Sequence, residues 1–432
     1  MSFEQIKLGN VIRHRKGFIT IDDNKEYKLC RVQLHRRGVV LREVVKGSAI
    51  RTKKQQVCKA GDFLVAEMDA KVGGYGFVPN ELDGAIVSSH YFLFELDERK
   101  IRPKYLEVIS QLQILQNQIK AVGSTNYAAI RPANVLNWDI PITNINKQKK
   151  IEELFDSTRA IGNELGTEFS NQQDLLTQLR QSFLREGMTG KLVKQDPKDG
   201  HAKDLLEKIK AEKAKSGKKE KELPPIKPED IPFEIPENWV WCRLGDICES
   251  SFYGPRFGKS EYVVNGIPTI RTTDMTDNGN IILKNTPCVF INDRKKIDLY
   301  KVNDGDLLLT RSGSIGIMAV FRGDYLAFPS AYLIRFRFMK AIAPEFIYFL
   351  LKSPFWQTLL GLNSRATAQV NINAVNILKL PIPLPPFAQQ NRIVIRLEGL
   401  MNNCDELQKS IQESQEQNEL LLQQVLKEAL MN

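Results

Sequence analysis

Ile6-Lys7-Leu8-Gly9-Asn10-Val11 is echoed by Cys242-Arg243-Leu244-Gly245-Asp246-Ile247, and this pair of stretches decides how the rest of the chain is read. Working outward, Gly61-Asp62-Phe63-Leu64-Val65 matches Gly305-Asp306-Leu307-Leu308-Leu309, and Ser89-His90-Tyr91-Phe92-Leu93 matches Ser330-Ala331-Tyr332-Leu333-Ile334. Ile101-Arg102-Pro103 then matches Ile342-Ala343-Pro344, and Ile140-Pro141-Ile142 matches Leu380-Pro381-Ile382. Single matches of this kind are common, because Gly-Asp turns and proline stops recur everywhere. Their shared order and a nearly constant offset of about 240 residues mark an internal duplication.

A helix of about forty residues is expected after each repeated block. In the first, Ile151, Leu154, Thr158, Ile161, Leu165, Glu168, Gln172, Leu175, Leu179 and Ser182 or Phe183 follow an alternating three-four spacing. In the second, Ile393, Leu397, Leu400, Cys404, Leu407, Ile411, Ser414, Asn418, Leu421 and Val425 do the same. Such spacing is the seam of a coiled coil, with a few polar seam positions suited to setting register. The competing reading packs each helix on its own domain. A forty-residue helix is about 60 Å long, awkward for that purpose and natural for a spacer.

Between the halves, His201–Asp230 is lysine-rich and ends in prolines, a composition expected to bury no core and to act as a linker. The blocks themselves are β-rich, with expected strands such as Gly38–Val45 and Leu326–Phe338 separated by Gly, Asn/Asp and Pro turns. The expected organisation is a globular α+β domain at 1–146, a helix at 147–190, a linker at 191–231, a second domain at 232–388 and a second helix at 389–432.

With 42% hydrophobic residues in 432, each domain can bury a core. The net charge is +10, unevenly spread: residues 1–146 carry 22 basic and 15 acidic groups, and 232–388 carry 17 and 13. The helical segments are the acidic ones, with 6 basic and 7 acidic groups at 147–190 and 4 and 7 at 389–432. Two basic blocks suit an anionic partner. The six cysteines form no CxxC, so neither a zinc ribbon nor a disulfide framework is indicated, and a reducing cytoplasm is the expected compartment. No signal peptide and no apolar run of about 18–20 residues is present, so no membrane partner is expected.

Catalytic motifs are wanting. Pro385-Pro386-Phe387 imitates the end of an adenine-methylase motif, but Leu384 stands where a polar residue would accept from the adenine amino group. No GxGxxG follows a strand, and Arg311-Ser312-Gly313-Ser314-Ile315-Gly316 lacks a P-loop lysine, so neither S-adenosylmethionine nor ATP has an evident site in this chain. His14, His35, His90 and His201 show no metal spacing.

Several phrases in order carry a family resemblance: Ile235–Ile247 (IPENWVWCRLGDI), Gly266–Met275 (GIPTIRTTDM), Gly305–Gly316 (GDLLLTRSGSIG) and Leu380–Ile393 (LPIPLPPFAQQNRI), with Gly61–Pro79 and Ser182–Leu192 in the first half. Together they resemble the specificity subunit of a Type I restriction-modification enzyme, over nearly the whole chain and least over about 13–60. The resemblance implies an α+β fold: two globular target-recognition domains in pseudo-twofold duplication, separated by two long antiparallel coiled-coil helices. It implies a non-catalytic chain that reads a bipartite asymmetric site in double-stranded DNA. The implied partners are two methyltransferase subunits and restriction (nuclease-translocase) subunits, which would use S-adenosylmethionine, ATP and Mg. The other classes consistent with the residues are a self-sufficient DNA adenine methyltransferase and a coiled-coil DNA-binding regulator.

For DNA contact the candidates in the second domain are Tyr253, Arg256, Arg271, Thr272, Arg311, Ser312 and Ser314. In the first they are Lys53, Lys54, Lys71, Gly73, Gly74 and Tyr75. Arg bridges two acceptors on guanine, Ser and Thr serve base or phosphate, and glycine lets backbone approach a strand. The competing reading is that the glycines only turn the chain and that Arg271 and Arg311 pair with nearby aspartates.

Overall fold

The computed structural model describes residues 3–119, 130–215, 223–311, 316–360 and 373–431. The chain divides into two compact units, Met1–Asn171 with Ile411–Asn432, and Gln172–Ser410.

In the first unit, Glu4–Lys7 pairs antiparallel with Asp139–Ile142, which closes the ends of the domain on each other. A four-stranded antiparallel sheet runs in the order Ile12–Arg15, Tyr91–Leu96, Phe63–Ala66, Tyr75–Phe77. A five-stranded sheet adds Phe18–Thr20, Lys54–Val57, Ile86–Val87, Glu26–Val32 and Val39–Lys46. The helix Pro103–Gln111 begins on proline, which suits a first-turn position lacking a hydrogen-bond partner. Its Tyr105, Leu106, Val108 and Ile109 are buried in one core with Phe63 and Phe94.

The second unit repeats the plan. Val240–Arg243 pairs with Pro381–Leu384, and Cys248–Tyr253, Leu333–Phe338, Leu307–Thr310 and Met318–Val320 form the matching four-stranded sheet. The match extends to single hydrogen bonds. The Gly61 N–H donates to Val78 O and the Val78 N–H to Asp62 O; the Gly305 N–H donates to Phe321 O and the Phe321 N–H to Asp306 O. Both glycines sit at positive φ, 82° and 85°, which is why this turn calls for glycine in each half. The expected strand Leu326–Phe338 is split. Phe328–Pro329 pairs parallel with Ile270 and its neighbours in a separate sheet, a turn follows in which the Leu333 N–H donates to Ser330 O, and Leu333–Phe338 then joins the main sheet. Pro329 has no N–H for a central ladder, so the chain changes sheet there.

The two long helices are Ile145–Met188 and Phe387–Met431. Within each unit they pair antiparallel. In the first unit, Phe155 shares a core with Leu426 and Leu430, and Gly162 faces Leu422. In the second, Arg180 donates to Asp405 at 2.6 Å and Gly187 lies against Leu397 and Ile393. The expected seam of the second helix largely holds, with Ile393, Leu397 and Cys404 buried, although Leu407 and Leu421 are exposed. On the first helix the contact face is turned from the expected one. Ile151 is buried as expected, but beyond it Phe155, Leu176 and Leu184 are buried, whereas Leu154, Ile161, Leu165, Leu175 and Leu179 face outward. The reason is Gly162: a side chain at that position would meet Leu422 Cδ1 at 2.7 Å, so the helices approach through a residue that hydrophobicity alone does not score.

The lysine-rich segment also departs from expectation. Ala202–Lys215 is a helix whose Ala202, Leu206 and Ile209 are buried in the core of the second unit, while Lys213 Nζ donates to Gly245 O at 2.8 Å. Three apolar residues at helical spacing are enough to bury one face of an otherwise charged helix.

Candidate nucleic-acid interface

In the second unit two candidates, Tyr253 and Arg311, meet a further side chain, Tyr332, at one end of the four-stranded sheet. Tyr253 ends its strand, Arg311 follows Leu307–Thr310, and Tyr332 precedes Leu333–Phe338. The Arg311 N–H donates to Tyr332 O at 2.9 Å, and its guanidinium lies 4.8 Å above the Tyr253 ring. Tyr253 Oη accepts the Ala374 N–H at 2.9 Å, which holds the ring still beneath the cation. Gly254 permits this crowding: a Cβ there would fall 1.9 Å from Ser330 O. Tyr332 is 61% exposed and Arg256 is exposed. A guanidinium held flat on an aromatic face keeps its N–H edge available to phosphate or base.

Arg271 is placed differently. It forms an ion pair at 2.9 Å with the buried Asp274, and this hydrogen bond holds its pKa above the ordinary arginine value. Its other terminal contact is Lys284 O at 3.2 Å, so its role here is to lock a turn. Thr272 begins that turn and is half-buried. Ser312 and Ser314 lie outside the described residues.

The first-unit candidates do not form one surface. Lys53 pairs with Asp23 and donates to Gly47 O at 2.9 Å, a bracing role. Lys54 is exposed, with its ammonium 4.9 Å above the Phe18 ring. Tyr75 is corrected from DNA contact to core: it is 1% exposed, with its ring 5.9 Å from Phe63 and 6.0 Å from Trp138, and burial pushes its hydroxyl pKa upward. An aromatic after two glycines reads equally as a mobile contact or a core plug, and only packing separates the two. Gly73 and Gly74 turn the chain without space for side chains, since a Cβ on Gly74 would lie 2.7 Å from Asp69. Lys71, before them, carries a carbonyl that accepts from Gln116.

The position matching Arg311 in the first unit is Glu67, whose N–H donates to His90 O at 2.8 Å. The Glu67 carboxylate holds His90 Nδ1 at 2.8 Å and Arg131 Nη1 at 3.0 Å. The same backbone circuit thus carries a cation on an aromatic ring in one half and a carboxylate between two bases in the other. Neither Glu67 nor Arg131 was singled out in the sequence; the offset between Gly61 and Gly305 points to the first of them.

Among the described residues no cluster of His, Cys, Asp and Glu could hold a metal ion, and no helix is long and apolar enough to cross a membrane.

Residues 236–417 match the family model described as "Type I restriction modification DNA specificity domain". The chain is similar to Type I restriction enzyme specificity subunits. It is 29% identical over 311 residues to the EcoEI specificity subunit of Escherichia coli, covering 67% of this chain and 51% of that one. The EcoAI subunit of the same species is 28% identical, covering 67% and 50%. The chain therefore spans about half the length of these two relatives. The MjaVIII subunit of Methanocaldococcus jannaschii is 22% identical over 93% of this chain and 86% of its own. Among solved structures, a chain from work on complex assembly and conformational transition of the type I R-M system superposes with a TM-score of 0.70 at 18% identity, covering 100% of this chain and 98% of that one. The HsdS subunit from Thermoanaerobacter tengcongensis gives 0.55 at 18%, covering 100% and 97%. At these identities the two structures speak for the fold.

Proposed function

We propose that this chain is the DNA-reading, non-catalytic subunit of a Type I restriction-modification assembly. Each unit reads one half of a bipartite asymmetric site, and the long helices set the unread gap. The observation that carries this reading is the duplicated end of the four-stranded sheet, with one backbone circuit presenting Arg311 on Tyr253 in one half and Glu67 between His90 and Arg131 in the other. Two equivalent frames with different side-chain chemistry suit two different half-sites.

Of the candidate residues, Arg311, Tyr253, Arg256, Lys54 and Lys71 remain the DNA contacts we favour. The lysines supply phosphate affinity without sequence information, and Arg311 is the base reader of the second unit. Leu154, Ile161 and Leu165, left exposed on the part of the first long helix that belongs to the first unit, offer an apolar patch for a methyltransferase subunit. S-adenosylmethionine, ATP and Mg belong to the methyltransferase and restriction partners, and the assembly works in the cytoplasm.

The test is a map of adenine methylation in DNA from cells expressing this chain with and without a Type I methyltransferase subunit of the same organism. A two-part motif that needs both proteins is the expected result. Methylation by this chain alone would make it a self-sufficient enzyme, and no motif under either condition would remove the specificity role.

A further inference from the structure

The least relaxed stretch of backbone in the first unit is the turn between strands Glu26–Val32 and Val39–Lys46. Of three non-glycine residues with positive φ among the described residues, two are adjacent here, His35 at 59° and Arg36 at 62°. Such a conformation is unfavourable for a residue with a side chain and persists where the surroundings impose it. They do so thoroughly. The Gln33 N–H donates to Gly38 O at 2.8 Å, the His35 N–H to Val72 O at 2.8 Å and the Arg36 N–H to Gly73 O at 3.0 Å. Arg36 turns inward, donating from Nη1 to Gln116 Oε1 at 2.9 Å, while Gln111 Nε2 donates to Arg36 O at 3.1 Å.

The seat is cut to receive this turn. A Cβ on Gly73 would lie 2.9 Å from Arg36 Cγ, and one on Gly76 would lie 2.8 Å from Gly38 Cα. Gly73, a candidate for DNA approach, is with Gly76 the bed of another loop. With Arg36 spent on the fastening, its neighbours His35 and Arg37 are left exposed on a backbone tied down by these hydrogen bonds.

We propose that the His35–Arg37 turn is the base-reading element of the first unit, with Arg37 reading a guanine in the major groove and His35 an adjacent base. This rests on the chain being a DNA specificity subunit. Arginine meets guanine O6 and N7 with two donors, and that geometry discriminates only when the base of the side chain is held in place. The strained turn, fastened by these five hydrogen bonds, supplies that hold. A phosphate contact would carry no sequence information, and that is the difference the test reads. The unit carries the basic excess that brings DNA to the turn, 22 basic against 15 acidic groups over residues 1–146.

The test repeats the methylation map with the full chain and its methyltransferase for Arg37→Ala and His35→Ala. Both side chains are exposed, so neither truncation empties a core, and Arg37→Ala leaves the positive-φ positions His35 and Arg36 unchanged. In the Arg37→Ala map one defined base pair of one half-site becomes degenerate, with preference reduced roughly tenfold or more, while the other half-site and the gap are unchanged. Arg37→Lys, which keeps the charge but loses the fork, fails to restore that base. An unchanged motif in both alanine variants overturns the proposal. So does a uniform loss of methylation that Arg37→Lys repairs, which would make Arg37 a phosphate contact. A wild-type chain that yields no motif removes the specificity reading itself, and this proposal with it.

Discussion

Gln148 and Gln390 occupy the same place in the two halves. Each is fully buried near the start of a long helix, and each carboxamide oxygen accepts a backbone N–H at 2.9 Å, from Arg102 in the first half and Ala343 in the second. Each also donates backward, Gln148 to Thr143 O at 2.8 Å and Gln390 to Pro385 O at 2.9 Å. These glutamines fasten helix to domain. Gln148→Leu and Gln390→Leu each leave buried backbone groups unpaired and destabilise by roughly 1–3 kcal/mol. Urea unfolding measures the loss, and hydrogen exchange locates it in the unit that carries the variant.

The charged helix Ala202–Lys215 is part of a core. Leu206→Ala and Ile209→Ala each lower stability by about 2–4 kcal/mol, because truncation of a buried aliphatic side chain leaves a cavity. Thermal unfolding is the readout; variants as stable as the parent would return this segment to the status of a tether.

Asp199 pairs with Arg392 on the second long helix, with Oδ1 2.8 Å from Nη1, and the side chain of Asp199 is 5% exposed. The arginine hydrogen bond holds the Asp199 pKa below its ordinary value of 3.8. A carboxylate lowered on folding stabilises the fold above the unfolded pKa, and that contribution is lost as pH falls through the lower folded value. Wild type is therefore more stable than Asp199→Asn at neutral pH, and the difference shrinks only below about pH 4. Paired urea titrations across that range give the comparison.

Gly76→Ala displaces the His35–Gly38 turn without altering any group that would touch DNA, because the new methyl would press on Gly38 Cα. Discrimination at one half-site falls while the other is read as before. Equal relaxation of both half-sites in the methylation map would mean general unfolding instead.

Excising residues 163–169 from one long helix and 415–421 from the other removes one heptad from each and keeps the antiparallel register that Gly162 and Leu422 define. Seven residues are about 10 Å of helix, near three base-pair steps. Methylation mapping of this variant gives a gap shorter by about that amount; an unchanged gap would show that the helices do not measure it.

The sequence alone determined what depends on repetition and period. Gly61 and Gly305 repeat because one turn needs positive φ in both halves, and the long helices announce themselves through three-four spacing that survives a few polar positions. The candidate interface was legible only in part: Tyr253 and Arg311 come together, but Arg271, Lys53 and Tyr75 serve the fold. Tertiary structure decided everything that depends on partners distant in the chain. Gly162 against Leu422 turned the helix face, Ala202, Leu206 and Ile209 found a core, and Gly73 and Gly76 became a seat for His35–Gly38. A residue's own chemistry states what it is able to touch; which neighbours remove it from solvent, and which side chains are then left outward to meet DNA, is settled by packing between segments whose separation in sequence carries no local signal.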